Sequence, residues 1–225
     1  MNIMQQSFYE QAILFIAALV VFTSFLMLAQ KRLFHLIYLF ACQGFLLSLT
    51  AALAAYATQY RHLYTSALIT LVLKAMLIPL MLHRLVVRLD IHREVEAVIY
   101  PGYTMMAAAT LVLFSYYVVL PIEQLSTLAT RNTIAVSLAV VLLGMFLMIS
   151  RRQAVTHVIG FMAIENGLFF AAVASTQGMP MVVELGIAFD VLVAAVLFGV
   201  FFFHIRSSIE SLDVDQLNRL SEVES

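Results

Sequence analysis

Cysteine and charged residues are both scarce in this chain. Only one of its 225 residues is a cysteine, and charged side chains make up 11% of the sequence. The lone thiol, Cys42, cannot form an intramolecular disulfide, and one cysteine cannot supply the ligands of a Cys-coordinated zinc ion or an iron–sulfur cluster. Any redox centre would therefore belong to another chain. The charged fraction is well below the roughly 25% that is typical of soluble domains.

The sequence also lacks the short motifs that mark common catalytic sites. No nucleophile elbow, phosphate-binding glycine loop or HExxH helix is present. The twelve Lys and Arg residues are scattered along the chain and not gathered on one face, which argues against nucleic-acid binding. We therefore expect no covalent catalysis by this chain alone and no cofactor held within it.

Long hydrophobic runs are what the sequence has in abundance. Hydrophobic residues make up 63% of the chain, and the mean hydropathy is +0.99. Because a helix needs about 20 apolar residues to cross the hydrocarbon core of a bilayer, the sequence predicts an all-α polytopic membrane protein with about seven transmembrane helices. The predicted spans are residues 11–29, 33–57, 63–83, 98–120, 132–149, 154–175 and 181–204.

Two of these spans carry local signals. In the third span, Pro79 follows Lys74 closely, and a proline removes a backbone donor and crowds the preceding turn, so we expect a kink or a freed carbonyl near Lys74. In the fifth span, Asn132 or Thr133 is a candidate N-terminal cap. The spans also suggest three parts: four helices in residues 1–128, three helices in residues 129–206, and an acidic cytoplasmic tail in residues 207–225.

The basic residues predict the orientation of the chain. If the spans alternate across the membrane, nine basic residues fall on one side and two on the other. Cytoplasmic loops are enriched in Lys and Arg, so we expect the N-terminus outside and the C-terminus in the cytoplasm. The larger group is Lys31, Arg32, Arg84, Arg88, Arg93, Arg151, Arg152, Arg206 and Arg219, and the smaller is Arg61 and Arg131.

Three ionisable residues lie deep within predicted spans. Lys74, Glu165 and Asp190 are each about ten residues from the ends of their helices, so a rise of about 1.5 Å per residue puts them at one depth near the bilayer centre. A charge at that depth costs about 2.5–3.5 kcal/mol on insertion scales, which makes such residues candidates for function. Burial and a nearby ammonium act in opposite directions on the proton affinity of a carboxyl group. A cation and two acids at one level are therefore suited to relaying protons in the membrane plane.

Other interpretations stay open for these and neighbouring residues. The three charges could instead form a static ion pair that holds helices together. Glu184 lies about one turn inside the outer end of the last span, where it could join the relay or simply reach toward the headgroups. His157, eight residues before Glu165 on nearly the same helix face, could extend the proton path from the cytoplasm or be an ordinary helix-end residue. His35 and His157 match only weakly the facing pair that a bis-imidazole haem needs.

Four segments stand out: SALITLVLKAMLIPLM around Lys74, SRRQAVTHVIGFMAIENG around Glu165, VELGIAFD around Asp190, and the tail SLDVDQLNRL. Together they resemble the hydrogenase-4 component E family, whose members are integral membrane subunits of formate hydrogenlyase-type complexes. The last three spans are also similar to the K subunit of respiratory complex I and the C subunit of multisubunit cation/proton antiporters. When Ile159, Gly160 and Asn166 are aligned with that K subunit, Met162 stands in place of its first intramembrane glutamate, and Glu165 follows one turn later.

The resemblance implies a non-catalytic subunit of an energy-converting hydrogenase in a bacterial or archaeal cytoplasmic (inner) membrane. Its partners would be antiporter-like membrane subunits and hydrophilic hydrogenase and iron–sulfur subunits, and those partners would hold the NiFe centre and the iron–sulfur clusters. Its proton-relay residues would be Lys74, Glu165, Asp190, Glu184 and His157. The alternatives are a structural anchor for partner assembly and a subunit of a multisubunit cation/proton antiporter.

Overall fold

The computed structural model describes residues 8–59, 61–88, 100–121, 128–175, 186–197 and 199–200. Within these ranges the chain is helical and has no β-strands, which confirms the predicted all-α polytopic membrane architecture. A π-helical segment, Leu71–Leu77, joins two of the helices without a break. The helices are α1 (Phe8–Ala29), α2 (Leu33–Thr58), α3 (Arg61–Thr70), α4 (Ile78–Arg88), α5 (Pro101–Val119), α6 (Leu128–Ser150), α7 (Ala154–Ser175) and a short α8 (Gly186–Leu197).

Six helical stretches in the described ranges are long and apolar enough to cross a membrane, and they correspond to the first six predicted spans. Of the seventh predicted span, residues 181–204, the structure describes the apolar helix α8 and residues 199–200. The predicted cap of the fifth span is wrong, because α6 begins at Leu128 and Asn132 and Thr133 lie inside the helix. The six spans are Gln11–Ala29, Leu33–Ala57, Leu63–Arg88, Pro101–Val119, Asn132–Ser150 and Ala154–Val173.

The third span changes its helical pattern just before Pro79. The backbone N–H of Ile78 donates to the carbonyl of Leu73 five residues earlier, which is the hydrogen-bond pattern of a π-helix. Because proline has no N–H and its ring crowds the preceding turn, the ordinary α pattern is unfavourable there. The disturbance expected near Lys74 therefore takes the form of a wider helical turn, and Lys74 lies within it.

Contacts at the helix junctions bring the ends of several helices together. Arg151, between α6 and α7, is buried, and its Nη2 donates to the backbone carbonyls of Leu28 at 2.5 Å and Gln30 at 3.1 Å, where α1 ends. The ring centroids of Phe34 in α2 and His83 in α4 lie 4.8 Å apart. The junctions that carry most of the larger basic group thus meet at one end of the bundle. Which side of the membrane this end faces stays a prediction.

The core combines residues from both predicted helical parts of the chain. One buried apolar cluster contains Leu36 and Phe40 from α2, Ile78 from α4, and Ile159 and Met162 from α7. This packing holds α7 against the first half of the bundle, and so it positions the polar residues that α7 carries. The division at residues 128 and 129 stays a prediction, and the tail of residues 207–225 lies outside the described residues.

Candidate functional site

A lysine ammonium lies at the centre of a buried polar cluster. The Lys74 side chain is completely buried, in a span that runs from Leu63 to Arg88. Its Nζ donates to Oε2 of Glu165 on α7 and, at 3.0 Å, to Oδ1 of Asn166. Oδ1 of Asp190 on α8 lies 3.5 Å from the same nitrogen. The ammonium, which can only donate, thus has two hydrogen-bond acceptors and one further carboxylate nearby.

The structure thus brings together the three residues that were expected to share a depth. Their charges do not balance, because one ammonium faces two carboxylates and the ionised cluster carries a net negative charge of one. Within the described residues, neither oxygen of the fully buried Asp190 accepts a hydrogen bond, so its compensation comes from the Lys74 charge. The uptake of one proton would make the cluster neutral, and it would remove the cost of an unpaired buried charge.

A chain of hydrogen bonds extends from the cluster to α1. Nδ2 of Asn166 donates to Oε1 of Gln43 on α2 at 3.0 Å, and Nε2 of Gln43 donates to Oγ of Ser24 at 2.8 Å. The Ser24 hydroxyl in turn donates to the backbone carbonyl of Val20 at 2.9 Å. The side chains of Ser24, Gln43 and Asn166 are all buried. We call this series, from Asn166 through Gln43 and Ser24 to the carbonyl of Val20, the amide chain.

The amide chain was not predicted as part of the site. Gln43 and Asn166 are neutral residues inside apolar runs, and neutral polar side chains are common in transmembrane helices as packing groups. The available signal was that Gln43 lies near the middle of its span and that Asn166 directly follows Glu165. Neither position reveals which helix face the side chain occupies.

Glu165 is the member of the cluster that reaches a cavity. Its side chain is 13% exposed, whereas those of Lys74 and Asp190 are completely buried. The cavity, about 510 Å³ in volume, lies between α7 and α8 and is almost entirely apolar. The ring of Phe169, which also lines it, has its centroid 5.1 Å from the Lys74 Nζ, within the range of a cation–π interaction. Glu165 is therefore positioned for contact with whatever occupies the cavity.

Two glycines allow close approach to the cluster. A Cβ built at Gly44 of α2 would lie 2.9 Å from the backbone carbonyl and the Cβ of Lys74. A Cβ built at Gly186 of α8 would lie 2.9 Å from Oε1 of Glu165. Such distances are shorter than real side chains accept, so the absence of a side chain at both positions lets α2 and α8 pack directly against the charged residues.

The remaining predicted site residues are not joined to the cluster by any contact that the structure describes. Glu184 lies outside the described residues. His157 is in the first turn of α7, with its Nδ1 2.8 Å from the carbonyl of Gln153, and His35 is exposed near the start of α2. Across the described ranges, no three His, Cys, Asp or Glu side chains are grouped so that they could bind a metal ion. The roles assigned to all five relay residues stay predictions.

The fold and the cluster together define a polytopic α-helical membrane protein with a buried lysine–carboxylate network. The chain is 30% identical over 209 residues to the uncharacterized protein Rv0085 of Mycobacterium tuberculosis, and the match covers 92% of this chain and 95% of that protein. It is 27% identical over 208 residues to hydrogenase-4 component E of Escherichia coli K12, with coverage of 91% and 95%. The chain is a homologue of hydrogenase-4 component E, which confirms the resemblance of its motifs to that family.

Two other comparisons gave no match. No protein-family model matches the chain. No solved structure matches it either.

Proposed function

We propose that this chain is a non-catalytic membrane subunit of an energy-converting hydrogenase complex, and that it contributes to proton translocation through Lys74, Glu165 and Asp190. The observation that carries the proposal is that one buried ammonium faces two acids on two different helices. The family relationship to hydrogenase-4 component E, a hydrogenase component by name, supports the assignment to a hydrogenase. The NiFe centre, the iron–sulfur clusters and the antiporter-like membrane subunits would be supplied by partner chains.

The proposed chemistry follows from the charge imbalance. An ammonium that moves toward one carboxylate stabilises its ionised form and leaves the other acid more inclined to bind a proton. Lys74 lies within reach of both Glu165 and Asp190, so a small shift of its Nζ changes which acid holds the extra proton. A partner that moves Lys74 would therefore move a proton between the two acids.

The two acids have different access to their surroundings. Glu165 is partly exposed beside the cavity, so we assign to it the exchange of protons with groups outside the chain. Asp190 is fully buried and has only Lys74 as a charge partner among the described residues, so we assign to it the internal storage of a proton. His157 and Glu184 remain candidates for extending the path toward the two membrane surfaces.

Amide substitutions of the two acids test this proposal. Glu165→Gln and Asp190→Asn keep the side-chain shape but remove the exchangeable proton. We therefore expect hydrogenase-driven proton uptake by inverted membrane vesicles to fall by about a hundredfold or more, the typical effect of losing a proton-transfer group. Co-purification of partner subunits should be retained. Glu10→Gln, at the start of α1, is the matched control and should pump normally. Normal pumping by both cluster variants in an assembled complex would refute the relay.

A second candidate is a structural anchor subunit. It is favoured by the fact that the cluster and the amide chain connect α1, α2, the π segment, α7 and α8. In that case the two amide variants would lose partner subunits and not merely proton flux. Measuring the amount of assembled complex alongside the flux separates the two functions.

The identity of the partners distinguishes a hydrogenase from a cation/proton antiporter. Affinity purification of the tagged chain from its native membrane, followed by mass spectrometry, should recover antiporter-like subunits together with a nickel-containing subunit and iron–sulfur proteins. Recovery of antiporter-like subunits without redox proteins, combined with sodium- or potassium-dependent proton flux in vesicles, would assign the chain to an antiporter instead.

A further inference from the structure

We propose that Gln43 and Asn166 are positioning residues that hold the Lys74 ammonium between its two acids, and that the amide chain does not conduct protons. The inference rests on the proposed relay through Lys74, Glu165 and Asp190. It adds that protons do not reach this relay from α1. It is carried by the four successive hydrogen bonds that begin at Lys74 and end at the backbone carbonyl of Val20.

The direction of every bond in the amide chain follows from the charge of Lys74. An ammonium can only donate, so the Asn166 side chain must present its oxygen to Lys74 and its Nδ2 to Gln43. Gln43 must then present its oxygen to Asn166 and its Nε2 to Ser24. The Ser24 oxygen accepts that bond, and its only hydrogen is donated to the carbonyl of Val20. Rotation of either amide would set N–H groups against each other.

The far end of the amide chain is closed. The carbonyl of Val20 accepts a hydrogen bond but has no proton to pass on, and neither intervening amide titrates near neutral pH. Gln43 and Asn166 are completely buried, and Ser24 is 4% exposed. A proton therefore has no route from α1 to Lys74 along these groups. The two acids remain as the exits from the cluster.

The same geometry explains how Gln43 influences the charged cluster although the hydrogen bonds described for its side chain go to the neutral residues Asn166 and Ser24. Without the Gln43 oxygen, Nδ2 of Asn166 has no acceptor, and the Asn166 amide is no longer held with its oxygen toward Lys74. Lys74 would then lose one of its two hydrogen-bond acceptors, and its position between Glu165 and Asp190 would no longer be fixed.

Proton translocation in native membrane vesicles tests the proposal with four single variants and one double variant. Gln43→Leu and Asn166→Leu should each slow translocation by about tenfold, which corresponds to the loss of one hydrogen bond to a charged group. The double variant should be no slower than the slower single variant, because both act through one chain. Ser24→Ala should slow it by only about threefold, the size expected for a neutral hydrogen bond.

Ser48→Ala is the matched control for Ser24→Ala. Ser48 is also buried, but its hydroxyl donates to the carbonyl of Phe45 within α2 and takes no part in the amide chain. It should translocate at the wild-type rate. If Ser24→Ala stopped proton translocation as completely as Glu165→Gln does, the amide chain would carry protons. If the effects of Gln43→Leu and Asn166→Leu multiplied in the double variant, the two residues would act separately. Either result overturns the proposal.

A second readout separates failure of this inference from failure of the relay. The carboxyl bands of Glu165 and Asp190 can be identified in infrared spectra of the purified complex by their loss in Glu165→Gln and Asp190→Asn, and their pH midpoints can then be followed. Gln43→Leu should move a midpoint by about half a pH unit or more. A merely structural role for Gln43 would leave both midpoints unchanged, and this outcome would overturn the inference.

The infrared readout applies even if Glu165→Gln translocates normally, in which case the relay is wrong but the positioning of Lys74 is still tested. If Gln43→Leu reduces the amount of assembled complex, Ser24→Ala is titrated in its place against Ser48→Ala. A shifted midpoint in Ser24→Ala alone supports the proposal, and identical midpoints in the two variants overturn it.

Discussion

The Nζ of Lys74 lies 3.5 Å from Oδ1 of Asp190, and both side chains are completely buried although they come from distant parts of the sequence. The same ammonium also donates to Glu165, which is partly exposed. One cation thus compensates two acids that differ in their access to the surroundings. In the proposed relay this inequality would give the cluster a direction, because Glu165 and Asp190 would exchange protons with different groups.

Removal of the central cation should destabilise the protein strongly. Lys74→Leu leaves two carboxylates without a charge partner among the described residues, and breaking a buried ion pair in this way typically costs about 3–5 kcal/mol. We expect a clear drop in the temperature at which the purified protein aggregates in mild detergent. Adding Glu165→Gln and Asp190→Asn to Lys74→Leu should recover most of the loss, because no charge then remains in the cluster. A triple variant as unstable as Lys74→Leu would contradict this account.

The sequence was sufficient to predict six of the seven proposed spans. Hydropathy depends only on composition along each helix, so it located the six stretches that the structure shows as long apolar helices. Counting about 1.5 Å per residue from the helix ends put Lys74, Glu165 and Asp190 at one depth, and the structure places their charged atoms in contact.

The hydrogen-bond partners of the cluster could not be predicted in the same way. Contact between Asn166 and Gln43 depends on how α2 and α7 are rotated about their axes, and hydropathy averaged along a span contains no such information. Pro79 indicated a disturbed turn near Lys74, but whether the result is a kink or a π-helical segment depends on packing against neighbouring helices.

Addition of a methyl group at Gly44 should displace the central lysine. In Gly44→Ala the new Cβ would lie 2.9 Å from backbone and side-chain atoms of Lys74, and backbone cannot move as easily as a flexible side chain. We expect a destabilisation of about 1–3 kcal/mol, typical of overpacking, together with slower proton translocation. Gly102→Ala is the control, since a Cβ there meets nothing within 4 Å. Equal stability of the two variants would show that α2 can move away from the π segment at little cost.

A methyl group at Gly186 should instead affect proton transfer more than folding. The Cβ of Gly186→Ala would lie 2.9 Å from Oε1 of Glu165, which is the far end of a flexible side chain that can rotate away. The amount of assembled complex should stay near the wild-type level while proton translocation slows by about tenfold, because the Glu165 carboxylate leaves its position beside Lys74. Gly199→Ala, whose Cβ would meet nothing within 4 Å of the described structure, should behave like the wild type. Unchanged translocation by Gly186→Ala would mean that the position of Glu165 is not critical.

Arg151 should contribute to stability through the end of α1, independently of the cluster. Its guanidinium donates to the carbonyls of Leu28 and Gln30. Burial of the guanidinium lowers the pKa of Arg151. Carbonyls at the C-terminal end of a helix have no partner within the helix, and a nearby cation also interacts favourably with the helix dipole. Arg151→Met should therefore lower the free energy of unfolding by about 1–3 kcal/mol, whereas the exposed neighbour Arg152→Met should change it little.

The comparison of these two arginines also separates local capping from membrane orientation. Both residues belong to the basic group that predicts a cytoplasmic location for this end of the bundle, so each substitution removes the same charge from the topology signal. Cysteine-accessibility labelling should show the same orientation for both variants, while heating in mild detergent should inactivate only Arg151→Met at a lower temperature. Equal heat stability would show that water replaces the guanidinium at the end of α1, and that the buried hydrogen bonds of Arg151 do not hold α1 to the α6–α7 junction.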